Sequence, residues 1–314
     1  MLLFIQSCGV SEEWVSKRDF LTNIGITDEG FIDCILTTPE SLRSPGYVNA
    51  YDDSFLKSIH QLTCEDITIE DLTGLEKLVN LESIILSNNS LKKIDINNHQ
   101  KLKYLYLQDQ KNMLSIKILD TEFNGIYISD VSTYDIYIQN ITIPKTETQI
   151  SLGELNANTI KLENLHSLNA EFYDVTASNL EITNSSFVRN KFYLNISDLK
   201  DAHFLNVSGI TTIRIRGKHA LDTLSLNSLD NLIHIDNNIH IKQVNLSQLP
   251  RFQELHLFCS FFDKLEMNDI SNSVKVITYD FALPTEIKHD LTTMYNLEIV
   301  EDSWEWDDME CHRD

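Results

Sequence analysis

From about residue 81 to 280 the chain alternates apolar-x-apolar triplets with runs of Asn, Asp, Ser and Thr. One series is Ile84-Leu86, Leu105-Leu107, Ile126-Ile128, Ile150-Leu152, Ala170-Phe172, Phe192-Leu194, Ile213-Ile215, Ile233-Ile235 and Leu255-Leu257, with successive starts 20 to 24 residues apart. A second series lies between them: Ile94-Ile96, Ile116-Ile118, Ile136-Ile138, Ile160-Leu162, Leu180-Ile182, Leu205-Val207, Leu224-Leu226, Val244-Leu246 and Leu265-Met267. Each triplet is a minimal strand whose flanking residues point one way and whose middle residue points the other. A repeat of this length marks a solenoid, in which each turn buries its interior only against its neighbours. The pattern therefore predicts a β-rich solenoid of about nine to ten turns with two short strands per turn. Asn, Asp and Ser suit its corners, since their side chains bond locally and tolerate turn geometry.

An open coil exposes its core at both ends and needs lids. Residues 10–63 are expected to form an N-terminal cap, 64–280 the solenoid, and 281–314 a C-terminal cap with an acidic tail. Asp52 to Leu62 reads as a capping helix with Phe55, Leu56, Ile59 and Leu62 on its apolar face. At the other end Leu283-Pro284 opens a helix through Met294, and the last fourteen residues carry seven acids interrupted by Trp304 and Trp306. That tail reads as a solvated end whose tryptophans cover the last rung.

The stretch Leu72-Thr-Gly74-Leu75-Glu-Lys-Leu78-Val-Asn-Leu81-Glu-Ser-Ile84-Ile-Leu86-Ser-Asn-Asn89-Ser-Leu91 resembles the repeat phrase of bacterial leucine-rich repeat proteins, including the internalin-like group. Leu102 to Leu107 continues it. The resemblance implies a leucine-rich repeat fold with a helical N-terminal cap, the first series on the concave side, and a non-catalytic, protein-binding role. It also implies a disulfide between Cys34 and Cys64, which bracket the cap as cysteine pairs do in exported proteins of this kind. The asparagine of the phrase stands at Asn89 but is replaced at Gln110, Leu229, Leu249 and Ser260. A weakened asparagine ladder points to a flatter, two-sheet coil.

Charge narrows the partners. The 314 residues carry 25 Lys+Arg against 47 Asp+Glu, a net charge of −22. Such a surface repels phosphate backbones and anionic membranes, so nucleic acid is not an expected partner. No run approaches the ~18–20 apolar residues of a spanning helix. The short apolar start, Met1 to Cys8, is similar to the end of a lipoprotein export signal with Cys8 as lipid acceptor; the other reading is a plain hydrophobic N-terminus, since no Lys or Arg precedes Cys8. Residues 1–9 are accordingly assigned to a truncated signal. Export to the cell envelope or medium of a bacterium is the expectation, with a cytosolic or delivered protein the alternative.

Catalytic phrases such as GxSxG, HExxH, GxGxxG and the phosphate-binding P-loop do not occur, and no Cys or His spacing suits a metal. The expectation is a protein without cofactor, metal or catalytic residues. The outer positions give the functional clue. In the first series they carry Tyr106, Tyr127, Tyr193, Arg214, His234 and His256, with Tyr104, Tyr173 and Arg216 beside them. Middle positions of the second series are Asp95, Lys117, Tyr137, Lys161, Glu181, Asn206, Ser225, Asn245 and Glu266, small polar or charged apart from Tyr137. Tyr, Arg and His are enriched where proteins meet partners; tyrosines also stack between rungs as plain strand formers. These nine first-series residues are the candidate partner-binding site, for a protein ligand first and a cell-surface glycan second. The rival class is a polysaccharide-active solenoid enzyme, in which Arg214 and Arg216 would work beside Asp236.

Overall fold

The computed structural model describes residues 13–302 apart from 143–148, 168, 189–190, 218–219, 233, 238, 259, 261, 271–273 and most of 280–296. Cys8, Trp304 and Trp306, with the expectations attached to them, lie outside the described residues.

The chain enters through a small helical cap. Strand Trp14–Ser16 pairs antiparallel with Tyr47–Asn49, and between them lie helices α1 (Lys17–Asn23), α2 (Glu29–Thr37) and α3 (Pro39–Arg43). Each begins on a side chain that accepts a main-chain N–H: Ser16 from Asp19, Asp28 from Phe31, Thr38 from Ser41. The expected capping helix is shorter than its pattern, with α4 covering only Ser54–Lys57. Gln61–Glu65 is instead the first rung of the coil, so Leu62 pairs in register with Ile84 and Cys64 with Leu86. Alternate burial of Leu62 and Cys64 is a strand period, which a helical reading of the same apolar residues overlooks. Cys34 of α2 and Cys64 of that rung form a disulfide across a Cα–Cα distance of 5.4 Å, fastening lid to coil. Closing a loop of this length stabilises a fold by ~3–4 kcal/mol in the chain-entropy picture.

Beyond the cap the chain is a parallel β-solenoid in which, among the described residues, sixteen strands form one sheet network and the short strands His166–Ser167 and Ser186–Phe187 pair separately. Its first ladder runs through twelve strands from Gln61–Glu65 to Glu298–Asp302. The second begins at Lys93–Asn97 and ends at Phe262–Ile270. In the middle turns one long strand serves both ladders, as in Tyr104–Leu119, Gly125–Gln139, Gln149–Glu163 and Asn169–Thr183. A single residue with positive φ bends each: Asp109, Asp130, Glu154 and Asp174. A second column with the same backbone closes the other corner: Asn98, Asp120, Asn140, Asn164, Asn184, Asn206, Ser228, Gln248 and Asp269. Asn and Asp are the non-glycine residues that visit this region at least cost, which is why the polar residues between triplets recur in register.

The inward pairs form one continuous core, in which Leu105, Leu107, Ile126, Ile128, Leu255 and Leu257 are all buried. Where the rungs lack branched aliphatics, rings fill the space: Phe192 packs against Phe172 and Phe204 at 5.3 and 5.2 Å between centroids.

Two register readings change. The first-ladder rung after Ile213/Ile215 is Ile235/Asn237, because Ile213 pairs with Ile235 and Ile215 with Asn237. Asn237 is buried, and its amide donates to the Ile239 carbonyl at 2.7 Å and to Ser260 Oγ at 3.2 Å. A satisfied buried amide occupies a position that an apolar pattern assigns elsewhere. Likewise the second-ladder rung is Ala202/Phe204 rather than Leu205/Val207, so His203 faces outward and Asn206 turns the corner. The partial asparagine ladder is real where expected. Asn89 donates to the Cys64 and Ile67 carbonyls, and the buried Gln110 reaches the Gln108 carbonyl. The following turns place Val131, Leu155 and Val175 inside instead. At the far end Thr285, Lys288, His289 and Thr292 are helical, on the stretch read as a terminal helix.

Candidate functional site

Strand register fixes the outer surface of the first ladder. Its central column reads Thr63, Ile85, Tyr106, Tyr127, Ser151, Glu171, Tyr193, Arg214, Asp236, His256 and Ile277. Adjacent positions are ~4.8 Å apart, the spacing of hydrogen-bonded strands. Tyr106 and Tyr127 use that spacing fully: their rings stack with centroids 4.7 Å apart and planes 4° from parallel. Tyr104, at the head of its strand, stands opposite Gly125, and its hydroxyl accepts a hydrogen bond from the Asn124 amide at 3.3 Å.

Two glycines that the repeat pattern passes over shape this surface. Gly153 faces Tyr173 across the ladder, and a Cβ there would lie 1.8 Å from the tyrosine Cζ. The ring therefore rests on bare backbone, the cross-strand cover of glycine by an aromatic residue. At Gly125 a Cβ would meet Tyr127 Cε2 at 2.7 Å. Gly153 thus packs against a ring of the next turn, 20 residues on, and Gly125 against a ring of its own strand. Tyr104, Tyr106, Tyr173 and Tyr193 retain 36–41% of their surface in solvent although they sit on rigid strands. Burial beneath its neighbours, followed by the influence of Tyr106, Tyr104 and Glu171, raises the pKa of the Tyr127 phenol, so it stays a neutral hydrogen-bonding group.

Beyond Glu171 the surface changes character. The Arg214 guanidinium lies 5.7 Å from the Tyr193 ring centroid, and its Nε donates to Asp236 at 2.8 Å. His256 stands 3.7 Å from Asp236 and 2.9 Å from Glu254, while His234 approaches Glu254 at 3.6 Å. The structure thus places His234 in the column beside the centre, with Asp236 in the central position that the sequence pattern gave to His234. Arg216 is exposed in the column on the opposite side, where it pairs in register with Asn195. The nine candidate residues share one face but form two groups: a tyrosine patch over the early turns and an ion-paired Arg/His/acid network over the later ones. Asp236 was legible as the acid beside Arg214, but Glu254 was overlooked as a lone acid in an acid-rich chain; only register shows that the two interleave the basic groups. Arg214 is held by Asp236 rather than standing free beside it.

The second ladder is different in kind. Its central column carries Asp95, Lys117, Tyr137, Lys161, Glu181, His203, Ser225, Asn245 and Glu266. Lys161 lies within 3.8 Å of Glu163 and 3.7 Å of Glu181, and Tyr137 donates its hydroxyl to Glu163 at 3.3 Å. Burial and the neighbouring Glu163 raise the Tyr137 pKa.

Among the described residues no helix is long and apolar enough to cross a membrane, and no group of three or more His, Cys, Asp or Glu is placed to hold a metal ion. No protein-family model matches the chain. No curated protein matches it either. Among solved structures, the chain is similar to an internalin from Listeria monocytogenes, at 14% identity over 82% of this chain and 96% of that one, with a TM-score of 0.24.

Proposed function

We propose that the protein is a non-catalytic scaffold that binds a macromolecule, a protein in the first instance, through the tyrosine-bearing surface of its first ladder. The observation that carries this reading is the exposure of four tyrosines on the strands of one face, Tyr104 and Tyr106 over the early turns and Tyr173 and Tyr193 further along. A partner gains the burial of large rings with polar tips while little side-chain freedom remains to be lost. Arg214 and the two histidines extend the same face, and a glycan, which stacks on rings, is the second ligand class it suits.

The proposed setting is the cell envelope or the medium outside the cell. A disulfide between cap and coil is the chemistry of an oxidising compartment. A lipid anchor at Cys8 remains part of this proposal. The enzymatic alternative draws on Arg214 and Arg216 beside Asp236, yet Arg214 is already paired with Asp236, against which His256 also lies, the arrangement of a structural cluster as much as of a catalytic one.

The test compares paired variants in capture from surface extracts. Tyr106→Ala with Tyr127→Ala is expected to weaken capture by an order of magnitude or more, since burying a tyrosine in a partner commonly contributes ~2 kcal/mol. Lys117→Ala with Lys161→Ala on the second ladder is expected to change nothing. Equal losses, or a loss from the lysine pair alone, would assign the function to the wrong side of the coil.

A further inference from the structure

The two ladders do not start together, and the offset leaves a slot. On the first ladder Gln61–Glu65 precedes Ser83–Ser87, but among the described residues no strand precedes Lys93–Asn97 on the second, and it pairs there with the second half of Tyr104–Leu119 alone. In place of the missing strand runs a loop through Asp71 to the short helical turn Leu75–Lys77. The loop is fixed to the cap. Asp28 accepts the main-chain N–H groups of Glu70 and Asp71, and Gly74, at φ 98°, sits so close to Ile26 that a Cβ would fall 2.4 Å from its side chain. A rigid loop beside an unpaired strand edge encloses a preformed cavity of about 340 Å³.

Its chemistry is lopsided. Asp71 and Glu76 line it from the loop, and Asp95 from the strand, against the single cation Lys93. At its inner end lies His99, first of the inward-facing residues that follow each second corner. His99 is only 8% exposed, and neither ring nitrogen meets a partner at good hydrogen-bond geometry, the Leu75 main chain being close enough only to favour its charged form. The ring also borders a second, smaller cavity of about 160 Å³ on its other side. Burial lowers its pKa and outweighs the Leu75 main chain and Glu76 carboxylate, which favour the charged form. The equivalent positions in later turns are polar groups with partners, such as Thr121 and Ser185, or apolar Ile141 and Leu165. A buried neutral imidazole without a well-formed bond, at the end of an acidic slot, keeps one ring nitrogen open to accept an N–H from a ligand.

We propose that this slot binds an extended peptide segment, which adds as a strand to the free edge of Lys93–Asn97 and inserts one lysine or arginine side chain toward His99. Edge strands recruit partners through their unpaired main-chain groups, with side-chain pockets setting specificity. The three carboxylates select a cation, and the neutral ring accepts one of its N–H groups. Leu75 and Ile96 on the walls suit the methylene stem of such a side chain. This site lies on the second-ladder side and stands or falls independently of the tyrosine surface.

The experiment titrates the intact chain by calorimetry with three probes: a blocked Thr-Val-Lys-Val-Thr peptide, the same peptide with Glu for Lys, and n-butylamine. The lysine peptide is expected to bind at least tenfold tighter than either of the others and to shift the His99 ring resonances. Asp95→Lys, at an exposed position, and His99→Phe are each expected to weaken the lysine peptide tenfold or more, whereas Tyr106→Ala leaves it unchanged. A thermal melt of Asp95→Lys that matches the parent chain keeps the comparison valid if His99→Phe fails to fold. Equal binding of the Glu peptide, equal binding of n-butylamine, or full binding by Asp95→Lys would each overturn the proposal.

Discussion

The two ladders are built by the same inward alternation, often within one strand, yet they meet solvent in opposite ways. In Gly125–Gln139, Ile126 and Ile128 are buried under the first ladder and Ile136 and Ile138 under the second. Between them the outer residues diverge. Tyr127 stacks on Tyr106, whereas Tyr137 is drawn into a polar group with Glu163 and Lys161. The corners diverge as well. On the second corner amides bond along the stack: Asn140 to Asp120, Asn164 to Asn140 and Asn206 to Asn184, at 2.7 to 2.9 Å. The first corner starts with the same device, the Asn88 amide donating to Asp66 at 2.7 Å, but continues through Asp109, Asp130, Glu154 and Asp174, whose carboxylates repeat every rung and repel one another. One coil can thus carry a shared core and two independent surfaces, because the core needs only the inward period.

The shared core is the part whose disruption costs most. Leu107→Ala on the first ladder and Ile118→Ala on the second remove fully buried side chains from the same strand, and each is expected to cost ~2–5 kcal/mol in denaturant unfolding. A large difference between the two would show that one ladder is peripheral to the fold. A smaller effect separates the corners. Asn164→Ala loses its bond to Asn140 and places an alanine at φ 53°, with an expected cost of ~1–2 kcal/mol in thermal or denaturant melts.

The first corner gives the smallest effect and the opposite sign. Glu154 has a raised pKa, through its hydrogen bond with Asp130 first and then the charges of Asp130, Asp174 and Asp109. The folded protein therefore holds this proton more tightly than the unfolded chain. That contribution is present below the ordinary carboxylate range and is lost as pH rises through the raised value. Glu154→Gln should raise the melting temperature slightly at neutral pH and leave it unchanged in acid. A lower melting temperature at neutral pH would mean that the acidic column is not repulsive.

The fold was legible because a solenoid repeats its signal at every turn. Triplets at Leu105, Ile126, Ile150 and Leu255 define a register that no single strand could. It failed where a polar residue took an inward place: Asn237 is a core residue by virtue of its bonds to Ile239 and Ser260, and a pattern of apolar letters steps over it. It failed at the cap for a related reason, since Phe55, Leu56, Ile59 and Leu62 satisfy a helical face and a turn-plus-strand equally well until tertiary pairing decides. The tyrosine surface was legible as a list of outward residues. Its shape was not, because the seating of Tyr173 on Gly153 depends on which residues stand opposite across 20 positions of sequence. The slot at His99 was hidden for the same reason: it arises from a strand that is missing, and the sequence marks strands that are present.

One strand carries a test of the difference between the surfaces. Tyr127 and Tyr137 lie in Gly125–Gln139, on the first and second ladders of the same turn. Replacing each in turn by the photo-crosslinking residue benzoylphenylalanine, and irradiating in the same surface extract, probes both faces with one chemistry. A first-ladder binding surface predicts a discrete crosslinked partner from position 127 and none from position 137. Crosslinking from 137 alone, or the same partner with equal yield from both, would contradict it.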